Sequence, residues 1–348
     1  MRDGVSDEQL KTLIGRSVKI SVPATVANLG AGYDVLALAL DYRNELTVRV
    51  SGLALPGAAG DISIVVEGEG LSELPTDKSN VMAGALVRGL TAAGVADAER
   101  LSFEIKALNR IPLARGLGSS AAAFVGALFA GAALAGASGS IDDLPGSCAD
   151  LFPDDLTDRL FAAADEYEGH PDNASAAIFG GLVASARVDG VLTARLIAVP
   201  EETIPVVAIP ELRLPTSEMR AVLPNKVPME DAVHNASRMA AGIAALEAGD
   251  VTGFALLADD RLHQPYRAAK YRAMPALIAA AVGAGAVSAS LAGAGSSVLA
   301  IVDDASRVSA VSEAMEAAIS TAQIGGGALR FDVDTDGVRI EAYEGFGA

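Results

Sequence analysis

The chain has one cysteine, Cys148, three histidines and no tryptophan among its 348 residues. A lone cysteine closes no internal disulfide, and with three histidines it leaves too little material for a zinc cage, which excludes redox chemistry and structural zinc. Aromatic residues make up 4%, so platforms for stacking bases are scarce. Basic residues are outnumbered as well: 26 Lys and Arg face 44 Asp and Glu, for a formal charge of −18. Such a field repels nucleic acid and anionic membranes; neither is expected as a partner, and any phosphate-bearing ligand has to be held by a local device. Long apolar runs are missing too. The richest, residues 121–137, is mostly alanine and glycine and reads as a buried helix, not a membrane span. The first sixteen residues hold no hydrophobic segment, so no secretion signal is expected and the location is read as cytoplasmic.

What is there suits a two-domain globular protein: the chain is long enough for a sizeable core, with 51% apolar and 20% charged residues. Alternating or β-branched runs predict strands at 18–22, 45–50, 62–66 and 101–107, and helical spacing after an N-cap predicts a helix at 80–89. Further helices are expected at 119–135, 157–166 and 274–283 and around HNASRMAAGIAALEAG. Strands are expected at GGLVASARV, ARLIAVP, IPVVAIP and AVSASLAGAGSSVLAIVDD, with a closing strand pair at LRFDVDT and GVRIEAY. This order implies an α+β protein, divided into an N-terminal extension (1–16), an N-terminal domain (17–192) and a C-terminal domain (193–348). The extension and the Asp/Pro-rich stretch 138–155 read as surface segments dispensable for chemistry.

Three glycine turns concentrate the chemistry. IPLARGLGSSAAAFVGAL (111–128) passes from Gly116 and Gly118 straight into a helix. That arrangement gathers backbone N–H groups and the positive end of a helix dipole where an anion binds well. Ser119 and Ser120, as cap-like residues, can bond a phosphate or complete the shell of a Mg²⁺ ion. Taken alone, the turn is equally a strand-to-helix turn with an ordinary serine cap, since it matches neither common phosphate motif. PATVANLGAGYD adds Asn28 and Asp34 framed by Gly30 and Gly32, a polar pair suited to a small substrate with amine and hydroxyl groups. LAGAGSSVLAI adds Gly293 and Gly295 as a second backbone cradle. The densest polar patch, EYEGHPDNAS, holds Glu166, Glu168, His170, Asp172 and Asn173. There a carboxylate can bind Mg²⁺ while Asn or Asp orients a hydroxyl. Arg220 and Arg267 stand in apolar or aromatic surroundings and suit bidentate carboxylate recognition.

Together these motifs, in this order, resemble the GHMP kinases, and EGHPDN with RAVLPNKVP…DAVHNASR is similar to the homoserine kinase family within them. The resemblance spans residue 18 to the last strands. It implies a ribosomal-protein-S5-like N-terminal domain, a ferredoxin-like C-terminal domain, and transfer of the ATP γ-phosphoryl group to the hydroxyl of L-homoserine with Mg²⁺ as cofactor. Pro112, Leu113, Ala114, Arg115, Gly116, Leu117, Gly118, Ser119, Ser120, Ala121 and Ala122 would form the phosphate loop, with Gly293 and Gly295 behind it and Asn80 at the adenine. Ser120 and Glu168 would contact the metal, Glu166 competing with Glu168. Asn28, Asp34, Arg220 and Arg267 would hold the amino acid, Asp34 taking the ammonium and the arginines the carboxylate, with Arg272 an alternative to Arg267. Asn173 would align the reacting hydroxyl, with Asp172 and His170 beside it. No lysine lies near, so no dedicated general base is expected, and positioning with charge neutralisation would carry the reaction. A homodimer is plausible from the family. Another small alcohol as substrate, or a silent ligand sensor, are the competing readings.

Overall fold

The computed structural model describes residues 3–136 and 146–345. The chain opens with helix α1 (Asp3–Leu13) and continues through strands β1 (Ser17–Ala27), β2 (Leu36–Leu53) and β3 (Ile62–Gly68). Helix α2 (Val81–Ala92), strand β4 (Leu101–Asn109) and helix α3 (Ser119–Leu134) follow. After the short β5 (Gly146–Ser147) and α4 (Cys148–Leu151) come α5 (Asp154–Glu168), α6 (Asp172–Phe179), β6 (Leu182–Val188) and β7 (Val191–Ile197). The remainder is β8 (Ile204–Pro210), α7 (Thr216–Ala221), α8 (Met229–Glu247), α9 (Gly253–Ala258), α10 (Gln264–Arg267), α11 (Met274–Gly283), β9 (Ser288–Leu291), β10 (Val298–Val302), α12 (Val308–Thr321), β11 (Gly326–Arg330) and β12 (Arg339–Glu344).

The first sheet runs β3-β4-β2-β1-β12-β5, with β6 and β7 joined through β2. Among these pairs only β3 with β4 is parallel. Strand β2 pairs with β1 along most of its length, with β4 at its second half and with β6 at its start. β1 is buried from Ile20 onward, because α3 and α6 pack against it.

Helix α3 has no polar side chain after Ser120, and all but three of its residues are buried. Helix α2 crosses it at two glycines. A Cβ on Gly89 would overlap the Leu128 carbonyl oxygen, and one on Gly131 would overlap that of Leu86. Glycine inside a helix costs about 1 kcal/mol against alanine. Here that cost is outweighed, since alanine would force two backbones apart in a close-packed core. Gly89→Ala should therefore lower stability by about 1–3 kcal/mol in urea denaturation, net of its better helix propensity.

The second sheet runs β11-β8-β10-β9, all antiparallel. Numbered along the chain this is the order 4-1-3-2, with α11 and α12 packed on it. It is the βαββαβ arrangement of a ferredoxin-like domain.

Three expectations change. The closing strands are not a pair: β11 joins β8 in the second sheet, whereas β12 returns to β1 in the first. Their alternation showed strands but carried no information about partners. The division expected at residues 192 and 193 falls inside β7, and the chain crosses back into the first sheet at β12. The extension is not merely surface either. Leu10 and Leu13 are buried in the main core, and Arg100 binds Asp7 at 2.6 Å. Of the Asp/Pro-rich stretch, residues 138–145 lie outside the described residues, while Cys148 and Phe152 pack into the same core. Among the described residues no helix is long and apolar enough to cross a membrane.

Candidate active site

The three glycine turns converge where the sheets meet. Gly116 holds φ +77°, and a Cβ there would overlap the Ala292 carbonyl, so the first turn lies directly on the third. The third turn is held by Gly293 N to Ala27 O (3.1 Å) and Ser297 N to Arg115 O (3.0 Å). Four non-glycine residues in these turns, Asn28, Leu29, Asp34 and Ala114, also adopt positive φ. Such conformations persist where the surroundings over-determine them, as at ligand clamps.

The cap of α3 differs from expectation. Gly118, in the left-handed conformation, is the N-cap, so Ser119 and Ser120 are the first two helical residues. The first helical hydrogen bond runs from Ala122 N to Gly118 O. The amides before it have no partner within the helix. They face a cleft lined by both serines, Glu168, His170, Asp172, Asn173, Asp34, Arg220 and Arg267. A second, apolar cavity shares Ala114, Ser119 and Ser120 with this cleft and is walled by Leu74, Pro75, Asn80, Leu113, Ala123 and Tyr167. Tyr167 stacks on Phe124 with ring centroids 4.2 Å apart. A phosphate cradle opening into an apolar slot fits a nucleotide, with the base in the slot.

On the far side of the cradle, Asp34 and Arg220 form a bidentate ion pair at 2.7 and 3.0 Å. Arg267 is only 2% exposed. It donates to Gly293 O (2.8 Å), Met219 O (3.3 Å) and His263 Nδ1 (3.2 Å), and among the described residues no carboxylate lies within ion-pair distance of it. Burial pulls its pKa down. Burial likewise lowers the pKa of His263, against the pull of the Asp260 carboxylate 3.5 Å from Nε2. In the neutral ring Nδ1 accepts from Arg267 and Nε2–H donates to Gly30 O at 2.9 Å. Tyr33 lies under both guanidinium groups, 5.6 Å from Arg220 and 5.4 Å from Arg267. A buried guanidinium without a counter-ion beside a carboxylate makes a receptor for a zwitterion.

Asp172, at the start of α6, accepts from His170 Nδ1 (2.6 Å) and from the backbone N–H of Asn173 (2.7 Å) through one oxygen. For His170, burial works against protonation, but the bond to Asp172 and its charge outweigh it and raise the pKa. Burial raises the pKa of Glu168. Its Oε1 is buried with no hydrogen-bond partner. That orphaned oxygen beside the Ser120 hydroxyl is the hard-oxygen donor set that Mg²⁺ prefers. Glu166 instead points outward to Arg88, and Arg272 is exposed.

The comparisons with known proteins agree with this geometry. Residues 82–181 match the family model "GHMP kinases N terminal domain" and residues 243–321 match "GHMP kinases C terminal". The chain is 38% identical over 281 residues to the homoserine kinase of Moorella thermoacetica, covering 81% of this chain and 86% of that one. This chain belongs to the homoserine kinase family. The homoserine kinase of Persephonella marina is 32% identical, with 94% and 99% covered. A crystal structure of homoserine kinase from Cytophaga hutchinsonii superposes with a TM-score of 0.78 at 25% identity, covering 93% and 97% of the two chains. The family's GHMP kinase fold, with its two α+β parts, is the fold found here.

Within this homoserine kinase fold most of the expected residues reach the cleft, but some are already committed. Asn28 donates to Gly293 O (3.0 Å) and accepts from Asp34 N (3.1 Å), so its amide joins the second turn to the third. Asn80 caps α2 through Met82 N and donates to Pro75 O, so it shapes the apolar slot with its polar groups partly spent. The Arg115 side chain turns to Pro210 O at 2.9 Å, and the Leu117 side chain sits in the core. Ala122 packs in the core, and a Cβ on Gly295 would press on Leu291 at 3.0 Å; neither residue lines either cavity. Sequence reasoning missed Tyr33, Tyr167 and His263. Tyr33 lies in PATVANLGAGYD beside Asp34 and Tyr167 in EYEGHPDNAS beside Glu168, and that adjacency was the available signal; His263 lies four positions before Arg267.

Proposed function

We propose that this chain transfers the γ-phosphoryl group of ATP to the side-chain hydroxyl of L-homoserine, giving ADP and O-phospho-L-homoserine for threonine biosynthesis. The observation that carries this reading is the buried, carboxylate-free Arg267 beside the Asp34–Arg220 pair, within one cleft with the glycine cradle. A zwitterionic amino acid offers its ammonium to Asp34 and its carboxylate to Arg220 and Arg267. It thereby replaces both halves of the resting ion pair. A sugar or a mevalonate-like hydroxy acid has no ammonium for Asp34 and leaves that exchange incomplete.

In this reading the first-turn amides of α3 and the Gly116–Gly118 backbone bind the phosphates, and the slot beside Tyr167 takes the adenine. Glu168 and Ser120 would hold Mg²⁺, which when bound neutralises charge on the phosphate oxygens. Asn173 aligns the acceptor hydroxyl, and Asp172 fixes the turn that carries it. The His170–Asp172 pair keeps its proton in an internal bond. The loose transition state of phosphoryl transfer asks little of a base. Alignment and charge neutralisation then supply most of the acceleration.

The test is ADP release from Mg·ATP with a panel of L-homoserine, mevalonate, galactose and shikimate. Turnover is expected with L-homoserine. Turnover with another alcohol alone would overturn the substrate, and ATP binding without any turnover would favour a silent sensor. At residue level, Asn173→Ala should lower kcat roughly tenfold with ATP affinity retained, the loss of one hydrogen bond made to the reacting group. Arg220→Ala should chiefly raise the KM for the amino acid. Equal effects of the two on both parameters would contradict this division of roles.

A further inference from the structure

The hydroxyl of Thr25 sits at the junction between the phosphate turn and the start of α6. Thr25 lies on β1, is fully buried, and is paired in register with Ala39 of β2. Its backbone N–H donates to Leu117 O at 3.1 Å, which ties the phosphate turn to the strand. Its hydroxyl donates to Asn173 Oδ1 at 2.8 Å. A Cβ on Gly118 would overlap this hydroxyl and lie 3.3 Å from Asn173 Oδ1. Thr25, Gly118 and Asn173 are therefore in mutual contact, and only glycine fits at 118.

We infer that Thr25 is a positioning residue that fixes the amide plane of Asn173 against the phosphate turn. The inference rests on the reading of Asn173 as the group that aligns the acceptor hydroxyl. An asparagine amide can be flipped, exchanging a donor for an acceptor at each end. A donor facing the cleft can meet an oxygen of the hydroxyl or of the transferring phosphate. A carbonyl facing the cleft would repel phosphate oxygens. Thr25 holds the amide plane through this bond: with its buried hydroxyl donating to Asn173 Oδ1, the NH₂ end is turned to the cleft that Asn173 lines. A β-branched side chain on a paired strand has little χ1 freedom, so the bond is held by a rigid element. The backbone at Asn173 is fixed independently through Asp172.

Thr25→Val keeps the shape and removes the hydroxyl; Thr25→Ser keeps the hydroxyl. Thr25→Val should lower kcat about three- to tenfold, the range for one buried hydrogen bond, with both KM values within about twofold of wild type. Thr25→Ser should return kcat to within about twofold of wild type. In a cycle with Asn173→Ala, the Thr25→Val/Asn173→Ala double variant should be no slower than Asn173→Ala alone. A wild-type kcat for Thr25→Val, with Asn173→Ala slow, would overturn the inference, and so would losses that multiply in the double variant. Asn173→Ala at wild-type rate would instead overturn the role of Asn173 itself. Should Thr25→Val fail to fold, Thr25→Ala carries the same cycle.

Discussion

Arg267→Met should raise the KM for L-homoserine about 100-fold or more while leaving folding stability unchanged or slightly higher, an unusual sign for a substitution at a fully buried position. The guanidinium is desolvated, and that cost outweighs the attraction of the Asp34 and Asp260 carboxylates, neither of which reaches it as an ion pair. Removing a buried charge in favour of an apolar side chain of similar volume is often neutral or stabilising. Of the groups left behind, Gly293 O still accepts from Asn28 Nδ2 at 3.0 Å and His263 keeps its Nε2 bond to Gly30 O, while His263 Nδ1 and Met219 O lose this donor, which limits the gain. The substrate carboxylate, in contrast, would lose its buried partner, a loss of about 3 kcal/mol by the usual relation between affinity and free energy. Arg267→Lys should restore only part of the affinity, because a point charge cannot grip a carboxylate in a fork. Steady-state kinetics with varied L-homoserine, beside thermal denaturation, separates the two effects. A wild-type KM would show that the buried charge serves something else, and a collapse in stability would make Arg267 a structural residue.

How legible was this from the sequence? Elements with strong periodicity were: the 274–283 helix and the strands near 62–66 and 101–107 match the chain's own α11, β3 and β4. The glycine turns were legible as turns, because a chain with Gly116 and Gly118 before a helix has few other uses for them. Their mutual contact was not, since Gly116 meets Ala292 across 176 positions of sequence. The same limit explains Asn28. Its position beside Asp34 suggested a ligand contact, but Gly293 takes its donor, and nothing local announces that. Arg267 and Arg272 looked alike as letters. The first is enclosed by Met219, His263 and Gly293, and the second is exposed. Strand partnership was the weakest point, as β12 shows: alternation reports that a strand has a buried face, not which sheet supplies it.

Glu168 faces the opposite problem to Arg267, a negative charge buried ahead of its partner. Glu168→Gln should lower kcat/KM for Mg·ATP by about 10²–10³-fold, as for loss of a group that stabilises transition-state charge. Its effect on the resting protein should have the other sign. Burial holds the carboxyl above its ordinary value in the folded state. The folded chain therefore binds the proton more tightly than the unfolded chain. Wild-type stability falls as pH rises from the ordinary carboxylate range through the raised folded value, and above that the cost is fully present. Glutamine carries no such cost and keeps the shape. The variant should thus be more stable than wild type at neutral pH, with the advantage vanishing below about pH 4. Adding Mg·ADP should reverse the ranking, because a ligand that binds only the folded state stabilises it by mass action, and the magnesium-dependent part should belong to wild type alone. Thermal denaturation at pH 7 and pH 4, with ADP in magnesium or in EDTA, gives each term without a turnover assay. If Glu168→Gln keeps the full magnesium-dependent shift, the metal is held elsewhere in the cleft, and the orphaned Oε1 answers to another partner.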